Sequence, residues 1–319
     1  MNEAIYSARQ AEKHHLLQVY AQADFEPVSA SGVEITCRDG RKLLDLYGGH
    51  AVASLGYSHP DVVAALTDQA SKLFFQSNAV ALAVRAEAAD KLIALAPAGL
   101  NRVFFVNSGA EANENALRIA LKKTGRSKIV ALEHGFHGRT AAASAATWGA
   151  AGKWYGFPRT PFDVEFVSRV DSAKAMTAID TNTAAVILEL VQGIAGAFDL
   201  DPVFVSDIAA ACKRNGALLI IDEVQTGIGR CGAGFAAQLY NLQPDILTTS
   251  KALATGFPCG TVLVTEEVAE CLHNGDLGTT FGGGPLACKL IATVIDVIHR
   301  DKLIQNVQRL SARIKDECL

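Results

Sequence analysis

The stretch ALLIIDEVQTGIGR, residues 217–230, decides the fold that we predict for this chain. Its opening is as apolar as a strand buried on both faces of a sheet, and Asp222 directly follows two isoleucines. A carboxylate at the end of a buried strand is costly unless it meets a positive charge. Asp222 therefore either faces a positively charged group, which could belong to a ligand, or caps the turn that follows.

Further apolar runs of similar length follow the same pattern along the chain. These runs cover residues 102–107, 128–133, 184–191, 245–250 and 260–265. Helix-like segments, such as residues 110–125 and 203–216, separate several of them. Apolar strands that alternate with helices predict an α/β fold, in which helices cover a mostly parallel central sheet. Because ligands of such sheets bind beyond the carboxyl ends of the strands, the residues after each run are candidates for a site.

The composition argues against several classes of protein. Half of the 319 residues are apolar, which is enough for one large domain and a smaller one. A net charge of −4 without a Lys/Arg block argues against nucleic-acid and membrane-surface partners. No apolar run is long enough to cross a bilayer, and residues 1–15 do not resemble a signal peptide. Seven scattered cysteines, none spaced as C-x-x-C, indicate reduced thiols and a cytoplasmic location.

Small residues and an aromatic residue follow the first two runs. Ser108, Gly109 and Ala110 open a helix whose free N–H groups would suit a phosphate, although a Ser-capped turn explains them better when they are taken alone. Phe136 could stack on a planar ligand and Arg139 could grip a carboxylate, or they could be a core and a surface residue. No carboxylate or cysteine nearby completes a ligand set with the two histidines beside Phe136, so no metal site is predicted.

A lysine and two threonines follow the later runs. Lys251 lies among small and apolar residues, where partial desolvation would lower the pKa of its amine and make it a nucleophile, unless it is an ordinary surface lysine. Thr279 and Thr280 precede a glycine run, where their hydroxyls could bind a phosphate or simply belong to a loop. The glycines within residues 227–232 spell G-x-G-x-x-G, but DEVQT separates them from the apolar run, which argues against a nicotinamide nucleotide.

Pyridoxal phosphate explains these features together. It needs a lysine for the Schiff base, an acid that keeps the pyridine nitrogen protonated, a stacking aromatic side chain and a phosphate cradle. The chain also resembles the class III pyridoxal-phosphate-dependent aminotransferases, and within them the acetylornithine aminotransferase group. The motifs that carry the resemblance run in family order from about residue 20 to residue 319: LYGGHAVASLGYSHPDVVAAL, NSGAEANENALRIA, HGFHGRT, ELVQGIAG, IIDEVQTGIGRCG, TTSKALATGFPCG and TTFGGGPLAC.

The resemblance implies a role for each residue of the predicted site. It makes Lys251 the Schiff-base lysine and places Asp222 at the pyridine nitrogen, so that these two are the catalytic residues. Val224 and Phe136 would lie on opposite faces of the ring, and Gln225 would bond the ring hydroxyl. The implied cofactor-binding residues are Ser108, Gly109, Ala110, Phe136, Asp222, Val224, Gln225, Lys251 and Thr280. The resemblance implies no metal.

The resemblance also implies substrates and a partner. Arg139, Thr279 and Glu189 would contact the substrate, Arg139 through a carboxylate, and Thr280 would reach the phosphate of the neighbouring subunit in a homodimer. The implied reaction moves the ω-amino group of N-acetylornithine, or of a similar carboxylate-bearing amine, to 2-oxoglutarate by a ping-pong mechanism, as in arginine biosynthesis. Three alternatives stay open: an aminotransferase for ornithine, 4-aminobutyrate or a lysine-pathway intermediate; an aminomutase or decarboxylase; and a truncated pyridoxal-phosphate-binding paralogue without turnover.

The same resemblance predicts three segments and two departures from the family. The segments are residues 1–50, which contribute to a small domain; residues 51–285, the large cofactor-binding α/β domain; and residues 286–319, a long helix that leads to a missing C-terminal small domain. Where the family reads E-P-x-Q-G-E-x-G, Leu190 replaces the proline and Ile194 the second glutamate. That glutamate pairs in the family with an arginine of the C-terminal domain. Either the chain is a fragment, or its substrate is held mainly by Arg139.

Overall fold

The computed structural model describes residues 8–318, and a seven-stranded sheet lies at the centre of this part of the chain. The strands are β1 Pro27–Ser31, β2 Glu34–Cys37, β3 Lys42–Leu44, β4 Leu100–Val106, β5 Lys128–Leu132, β6 Asp163–Val167, β7 Thr183–Leu188, β8 Val191–Gln192, β9 Phe198–Asp199, β10 Leu218–Asp222, β11 Ile246–Thr249 and β12 Gly260–Thr265. The helices are α1 Ala8–His15, α2 Gly48–Ala51, α3 Pro60–Lys72, α4 Ala83–Leu95, α5 Gly109–Thr124, α6 Ala141–Ala145, α7 Ala150–Lys153, α8 Ser172–Ala178, α9 Pro202–Asn215, α10 Ala236–Leu239, α11 Glu266–Ala269, α12 Pro285–Arg300 and α13 Leu303–Cys318, with a 3-10 turn over Lys251–Ala254. Within residues 8–318 no helix is both long and apolar enough to span a bilayer.

The central sheet is mixed but mostly parallel. Its strand order is β4-β12-β11-β10-β7-β5-β6. Only β12 runs antiparallel to its neighbours, whereas the other adjacent strands of this sheet are parallel. The crossover from β7 to β10 contains α9, which begins where the Asp201 side chain accepts two backbone N–H groups and ends at Gly216, whose φ is 64°. This sheet confirms the fold class predicted from the sequence.

Helices cover both faces of the sheet. Ile129 of β5 belongs to one buried apolar cluster, whereas the next residue, Val130, belongs to another. Successive side chains of a strand point to opposite faces, so the two clusters lie on opposite sides of the sheet. Leu117 of α5 lies in the first cluster, and Leu92 of α4 and Ile291 of α12 lie in the second. Because helices cover both faces, the strands are buried and the carboxyl ends of the parallel strands meet at one edge of the sheet.

The structure differs from the sequence prediction in three places. It adds β6 at the edge of the central sheet and a separate antiparallel sheet, β1-β2-β3, within the predicted segment 1–50, whose first seven residues lie outside the described part. The prediction of one long helix over residues 286–319 is wrong, because Lys302 adopts a left-handed conformation with φ of 51° and separates α12 from α13. The apolar run 184–191 leaves the central sheet after Leu188, so its last residues are free to line a site.

Candidate active site

A cavity of about 170 Å³ lies at the carboxyl edge of the sheet. Residues that follow β5, β7, β10 and β11 meet there with the first turn of α5. The lining residues are Gly109, Ala110, Asn113, Phe136, His137, Glu189, Ile194, Asp222, Val224, Gln225, Ser250 and Lys251. Most of the residues predicted from the sequence are therefore neighbours in space, although they come from segments that are far apart in the chain.

Asp222 is the last residue of β10 and is only 3% exposed. Its Oδ2 accepts a hydrogen bond from Asn113 Nδ2 at 2.7 Å and lies 2.8 Å from His137 Nδ1. Its Oδ1 accepts the backbone N–H of Val224 at 2.9 Å, and Asn113 is itself fixed by Thr248 Oγ1 at 2.6 Å. The carboxylate is thus held in one orientation at the wall of the cavity.

His137 provides Asp222 with a partner inside the protein. Burial by itself lowers the pKa of this imidazole, but the hydrogen bond and charge of Asp222, with the charge of Glu189, raise the pKa above its ordinary value. A raised pKa favours the imidazolium form, which neutralises a buried carboxylate. The ring Nε2 has no hydrogen-bond partner among residues 8–318. Within this described part, no group of three or more His, Cys, Asp or Glu side chains could hold a metal ion.

Glu223 is as deeply buried as Asp222 but points away from the cavity. Its carboxylate accepts the backbone N–H groups of Ala236 and Ala237 at 2.8 and 2.7 Å and the hydroxyl of Thr226 at 2.7 Å. Burial raises the pKa of Glu223, although these hydrogen bonds favour its charged form. Glu223 therefore fastens the turn after β10 to the start of α10, and its function is structural.

Lys251 begins the 3-10 turn that follows β11, with a φ of 46°. A non-glycine residue in this left-handed region costs about 1–2 kcal/mol, so the surrounding fold holds it there against a local preference. Burial lowers the pKa of the Lys251 amine, and the charges of Asp222 and Glu189 oppose this shift without cancelling it. The direction agrees with the sequence prediction. In the described part of the chain, no salt bridge uses this amine.

Glu189 joins two loops that form walls of the cavity. It follows β7 and is 6% exposed, and its two carboxylate oxygens accept the backbone N–H groups of Phe136 at 2.8 Å and Gly193 at 3.3 Å. Burial, together with the charge of Asp222, raises the pKa of Glu189 to about 7. Its position at the cavity agrees with the sequence prediction, and its hydrogen bonds fix the backbone of the residue predicted to stack on the cofactor.

The first turn of α5 presents backbone N–H groups to the cavity. Ser108 caps this helix, because its Oγ accepts the N–H of Glu111 at 3.2 Å, and Ser108 does not itself line the cavity. The N–H groups of Gly109 and Ala110 are the first of the helix and have no acceptor within it. A Cβ at Gly109 would lie 2.7 Å from a methyl carbon of Val224, so the two residues fit only because position 109 is glycine.

The loop after β8 brings an apolar side chain to the mouth of the cavity. A Cβ at Gly193 would overlap the side-chain amide of Gln225, so this amide lies directly on the loop backbone. The next residue, Ile194, lines the cavity and is 63% exposed. An apolar side chain thus stands where the family pattern described above has a glutamate.

Besides Ser108, three predicted residues do not line the cavity, namely Arg139, Thr279 and Thr280, and we call these three the rim of the predicted site. Arg139 is exposed, and its Cζ lies 5.2 Å from the centroid of the Phe136 ring. Thr279 Oγ1 accepts two hydrogen bonds, one from Asn107 Nδ2 at 3.2 Å and one from the backbone N–H of Gly282 at 3.0 Å. Thr280 is exposed, and neither threonine lines the cavity of its own chain. The structure therefore assembles the strand-end residues and leaves both threonines apart from them.

Asn113, His137 and Glu223 are site or support residues that the sequence analysis missed. Asn113 could have been found from its sequence position, because it is a polar residue on the otherwise apolar buried face of α5. The sequence analysis considered His137 only as a metal ligand. Glu223 carried no signal of its own, since an acid after a strand end is typical of any surface turn.

Comparison with known proteins gives a match along almost the whole chain. The family model described as aminotransferase class-III matches residues 19–319. Acetylornithine aminotransferase of Methanothermobacter thermautotrophicus is 39% identical over 303 residues, which cover 94% of this chain and 76% of that protein. Acetylornithine/succinyldiaminopimelate aminotransferase of Yersinia pestis is 40% identical over 301 residues, which cover 92% of this chain and 73% of that protein.

Solved structures share the fold over the same length. Ornithine aminotransferase from Toxoplasma gondii ME49 has a TM-score of 0.91 at 30% identity, and the match covers 97% of this chain and 75% of that chain. A second structure of the Toxoplasma gondii enzyme, described as having partial occupancy of pyridoxal phosphate at its active site, has a TM-score of 0.90 at 30% identity, with 97% and 74% covered.

Proposed function

We propose that this chain, which belongs to the class-III aminotransferase family, moves the ω-amino group of N-acetylornithine, or of a similar carboxylate-bearing amine, to 2-oxoglutarate. The chain is a pyridoxal-phosphate-dependent aminotransferase, and relatives named acetylornithine aminotransferase are 38–41% identical to it. One structural observation carries the proposal. Lys251, held in a left-handed conformation, shares a single cavity with the buried and hydrogen-bonded Asp222.

The residues of the cavity fit pyridoxal phosphate. The first N–H groups of α5, at Gly109 and Ala110, suit the phosphate, since a helix N-terminus attracts anions. Phe136 and Val224 supply the two flat walls that a ring requires, and Gln225 supplies a polar group beside them. Gly109 leaves room for the Val224 side chain, because a Cβ at position 109 would lie 2.7 Å from a Val224 methyl carbon.

Lys251 holds the cofactor and moves a proton. When bound, pyridoxal phosphate supplies an electron-withdrawing ring that stabilises the negative charge left on the carbon next to the donor nitrogen. Burial lowers the pKa of the Lys251 amine, which increases the uncharged fraction that is able to accept a proton. With the cofactor bound, the Lys251 amine would therefore accept the proton from the donor carbon at Nζ and release it again later in the reaction.

Asp222 keeps a negative charge fixed at the wall of the cavity that Lys251 also lines. Asn113 and His137 hold Oδ2, and the backbone of Val224 holds Oδ1, so the carboxylate cannot turn away. A fixed carboxylate stabilises a protonated ring nitrogen, which increases the electron demand of the ring. All three hydrogen bonds come from the protein itself, so they hold the carboxylate without help from a ligand.

Arg139 and Ile194 select the substrate at the mouth of the cavity. Arg139 binds the donor carboxylate, because a guanidinium recognises a carboxylate through two parallel hydrogen bonds. Ile194 places an apolar surface beside the donor chain. Glu189 contributes to substrate binding by fixing the backbone of Phe136. Thr279 shapes its own loop, which completes the rim of the site in the dimer.

The complete enzyme is a homodimer in which Thr280 binds the phosphate of the neighbouring subunit's site. Three features support this arrangement. Thr280 is exposed and lies outside the cavity of its own chain. Phe281 next to it is 67% exposed and packs on Phe75 at 5.8 Å between ring centroids, beside Phe74, which is 69% exposed. Large exposed aromatic side chains that adjoin one another are typical of protein interfaces.

The domain assignment and the location complete the proposal. Residues 51–285 form the large domain, which contains the whole central sheet, and residues 1–50 contribute β1, β2 and β3 to a smaller one. The enzyme works in the cytoplasm. All seven cysteines are free, and four of them are buried, which agrees with a reducing compartment.

Spectroscopy with candidate donors tests the proposed function. The purified chain is incubated with pyridoxal phosphate, freed of excess cofactor and titrated with N-acetylornithine, ornithine and 4-aminobutyrate in turn. We expect a visible absorbance from cofactor bound through lysine, and loss of that absorbance with N-acetylornithine at lower concentration than with the other two amines. Addition of 2-oxoglutarate should then restore the absorbance and release glutamate.

Each other outcome identifies an alternative. Bleaching by ornithine or 4-aminobutyrate alone would replace the donor and keep the aminotransferase. Release of carbon dioxide, or a rearranged amine without glutamate, would indicate a decarboxylase or an aminomutase. A yellow protein that no amine bleaches would mean a cofactor-binding paralogue without turnover.

A further inference from the structure

We propose that Trp154 is a positioning residue, which together with Phe136 holds the Arg139 guanidinium at the cavity mouth for the carboxylate of the amino donor. The inference rests on the proposed function for the identity of the donor. It adds a specificity-determining residue, Trp154, which lies outside the cavity and outside every motif that carries the family resemblance.

Two neighbouring aromatic rings lie close to the guanidinium. Arg139 Cζ lies 5.2 Å from the centroid of the Phe136 ring and 5.7 Å from that of Trp154. The two rings are 6.4 Å apart at their centroids and inclined at 50°. Both distances from the guanidinium lie within the range of cation–π attraction, about 6 Å. Contacts through the face of a guanidinium leave the N–H donors at its edge available to a carboxylate.

The donors of Arg139 are not used by any other residue in the described part of the chain. Arg102 shows the contrasting case, because its guanidinium forms two hydrogen bonds of 2.8 and 2.7 Å to Glu266. No such carboxylate lies within hydrogen-bond reach of Arg139 among residues 8–318, and its side chain is exposed. A cation that lies close to two rings but has no anionic partner is available to an anionic ligand.

One of the two aromatic rings near Arg139 belongs to the candidate active site. Phe136 lines the cavity that contains Lys251, and its backbone N–H is bonded to Glu189. Arg139 therefore contacts a ring that lines the space where the donor is proposed to react. Trp154 stands on the outer side, directly after α7.

A second tryptophan provides a matched control. Trp154 is 39% exposed and Trp148 is 41% exposed, so neither is a core residue. Trp148 packs on Phe166 at 5.1 Å and on His134 at 6.0 Å between ring centroids, and it has no cation–π contact within the described part of the chain. The tryptophans thus have nearly equal exposure and differ in their relation to Arg139. The chain contains no other tryptophan.

Fluorescence of single-tryptophan holoenzymes tests the proposal without turnover. W148F leaves Trp154 as the only tryptophan, and W154F leaves Trp148. Both proteins are titrated with N-acetylnorvaline, which is the proposed donor without its reactive amine, and with N-acetylnorvalinamide, which lacks the carboxylate charge. We expect the acid, but not the amide, to change the emission of W148F, and neither compound to change that of W154F. Adding R139A to W148F should abolish the response to the acid.

Steady-state kinetics provide the second measurement. Loss of the Trp154 ring in W154A should raise KM for the carboxylate-bearing donor about 10-fold, with kcat changed less than about 2-fold. W154F retains a ring and should restore most of this loss, whereas W148A should leave KM within about 2-fold of wild type. KM for the amide of the same donor should not respond to W154A.

Either the titration or the kinetics can contradict the proposal independently of the other. Equal responses of W148F to acid and amide, or a response that survives R139A, would overturn it. The same holds if W154A lowers kcat and KM of acid and amide donors alike, because that is the effect of a merely structural residue. If no donor is turned over, the proposed function fails, while the titration of acid against amide still decides whether Trp154 positions Arg139.

Discussion

The strand-end half of the site and its rim differ in how firmly their side chains are held. Asp222, at the end of β10, is buried and bonded to two side chains and one backbone N–H. At the rim, Arg139 is held only by ring contacts, and Thr280 is exposed. In the proposed enzyme, the sheet of one chain fixes the reacting groups, whereas we propose that substrate selection and phosphate binding depend on exposed side chains and a second subunit.

The largest expected effect comes from removing the amine at the strand-end half. Lys251→Ala should lower kcat by at least about 10⁴-fold, because both the covalent attachment and the proton transfer are lost. Lys251→Arg should not restore activity, since a guanidinium does not release its proton. The measurements are single-turnover rates and the visible absorbance of bound cofactor. Substantial activity in either variant would show that another group moves the proton.

The next effect tests whether the buried carboxylate acts through its charge. Asp222→Asn keeps the shape of the side chain but removes the charge, and we expect kcat to fall about 10²–10³-fold. Asp222→Glu keeps the charge and displaces it, so it should retain more activity than Asp222→Asn. Steady-state kinetics at saturating cofactor measure both. Equal activity of Asp222→Asn and wild type would mean that the network around β10 is only structural.

Glu223, which directly follows β10, tests whether a buried acid beside the site can be needed for stability and not for activity. Glu223→Ala removes the acceptor of two backbone N–H groups and one hydroxyl, so the free energy of unfolding should fall by about 3 kcal/mol. Chemical denaturation measures this loss, and the exposed Glu270, which does not line the cavity, provides a control variant, Glu270→Ala. At low temperature, folded Glu223→Ala should keep kcat within a few-fold of wild type. Unchanged stability would contradict the structural role.

Hybrid dimers test whether the rim is completed by the partner subunit. Thr280→Val should weaken cofactor binding about 10-fold through loss of one phosphate hydrogen bond. A hybrid of one Lys251→Ala chain and one Thr280→Val chain should contain one site with wild-type cofactor affinity. A hybrid of wild type and a chain carrying both substitutions should not, because the site that keeps its lysine is completed by the partner that lacks the threonine hydroxyl. Cofactor dissociation constants of the two purified hybrids measure the difference, and the reverse order would place Thr280 in its own chain's site.

The smallest effect is a pH dependence that arises from Glu189. Folding raises the pKa of Glu189 from its ordinary 4.5 to about 7, so between these values the folded chain binds more protons than the unfolded chain. Its contribution to stability is therefore fully present below pH 4.5 and is lost as the pH rises through about 7, with a slope of at most about 1.4 kcal/mol per pH unit. Glu189→Gln should flatten the stability of the cofactor-free chain between about pH 5 and 7, measured by urea unfolding. Glu270→Gln should leave the slope unchanged.

The sequence predicted the strand-end half far better than the fine structure around it. Apolar runs that end in Asp222 or just before Lys251 are enough to predict that these residues share an edge, because parallel strands align their carboxyl ends. The break between α12 and α13 was not predictable from periodicity, since Lys302 is a good helix former and its left-handed φ depends on packing. The half-exposed edge strand β6 was also missed, because it lacks a continuous apolar run.

By itself, the sequence determined the fold class, the family and the residue types at each strand end. Only the tertiary structure decided which of two adjacent acids faces the cavity and what neutralises it. His137 and Asn113 contact Asp222 across 85 and 109 residues of chain, respectively, and no local pattern reports a contact over such a separation. The physical reason is that strand and helix patterns reflect local burial, whereas the partner of a buried charge is chosen by the packing of distant segments.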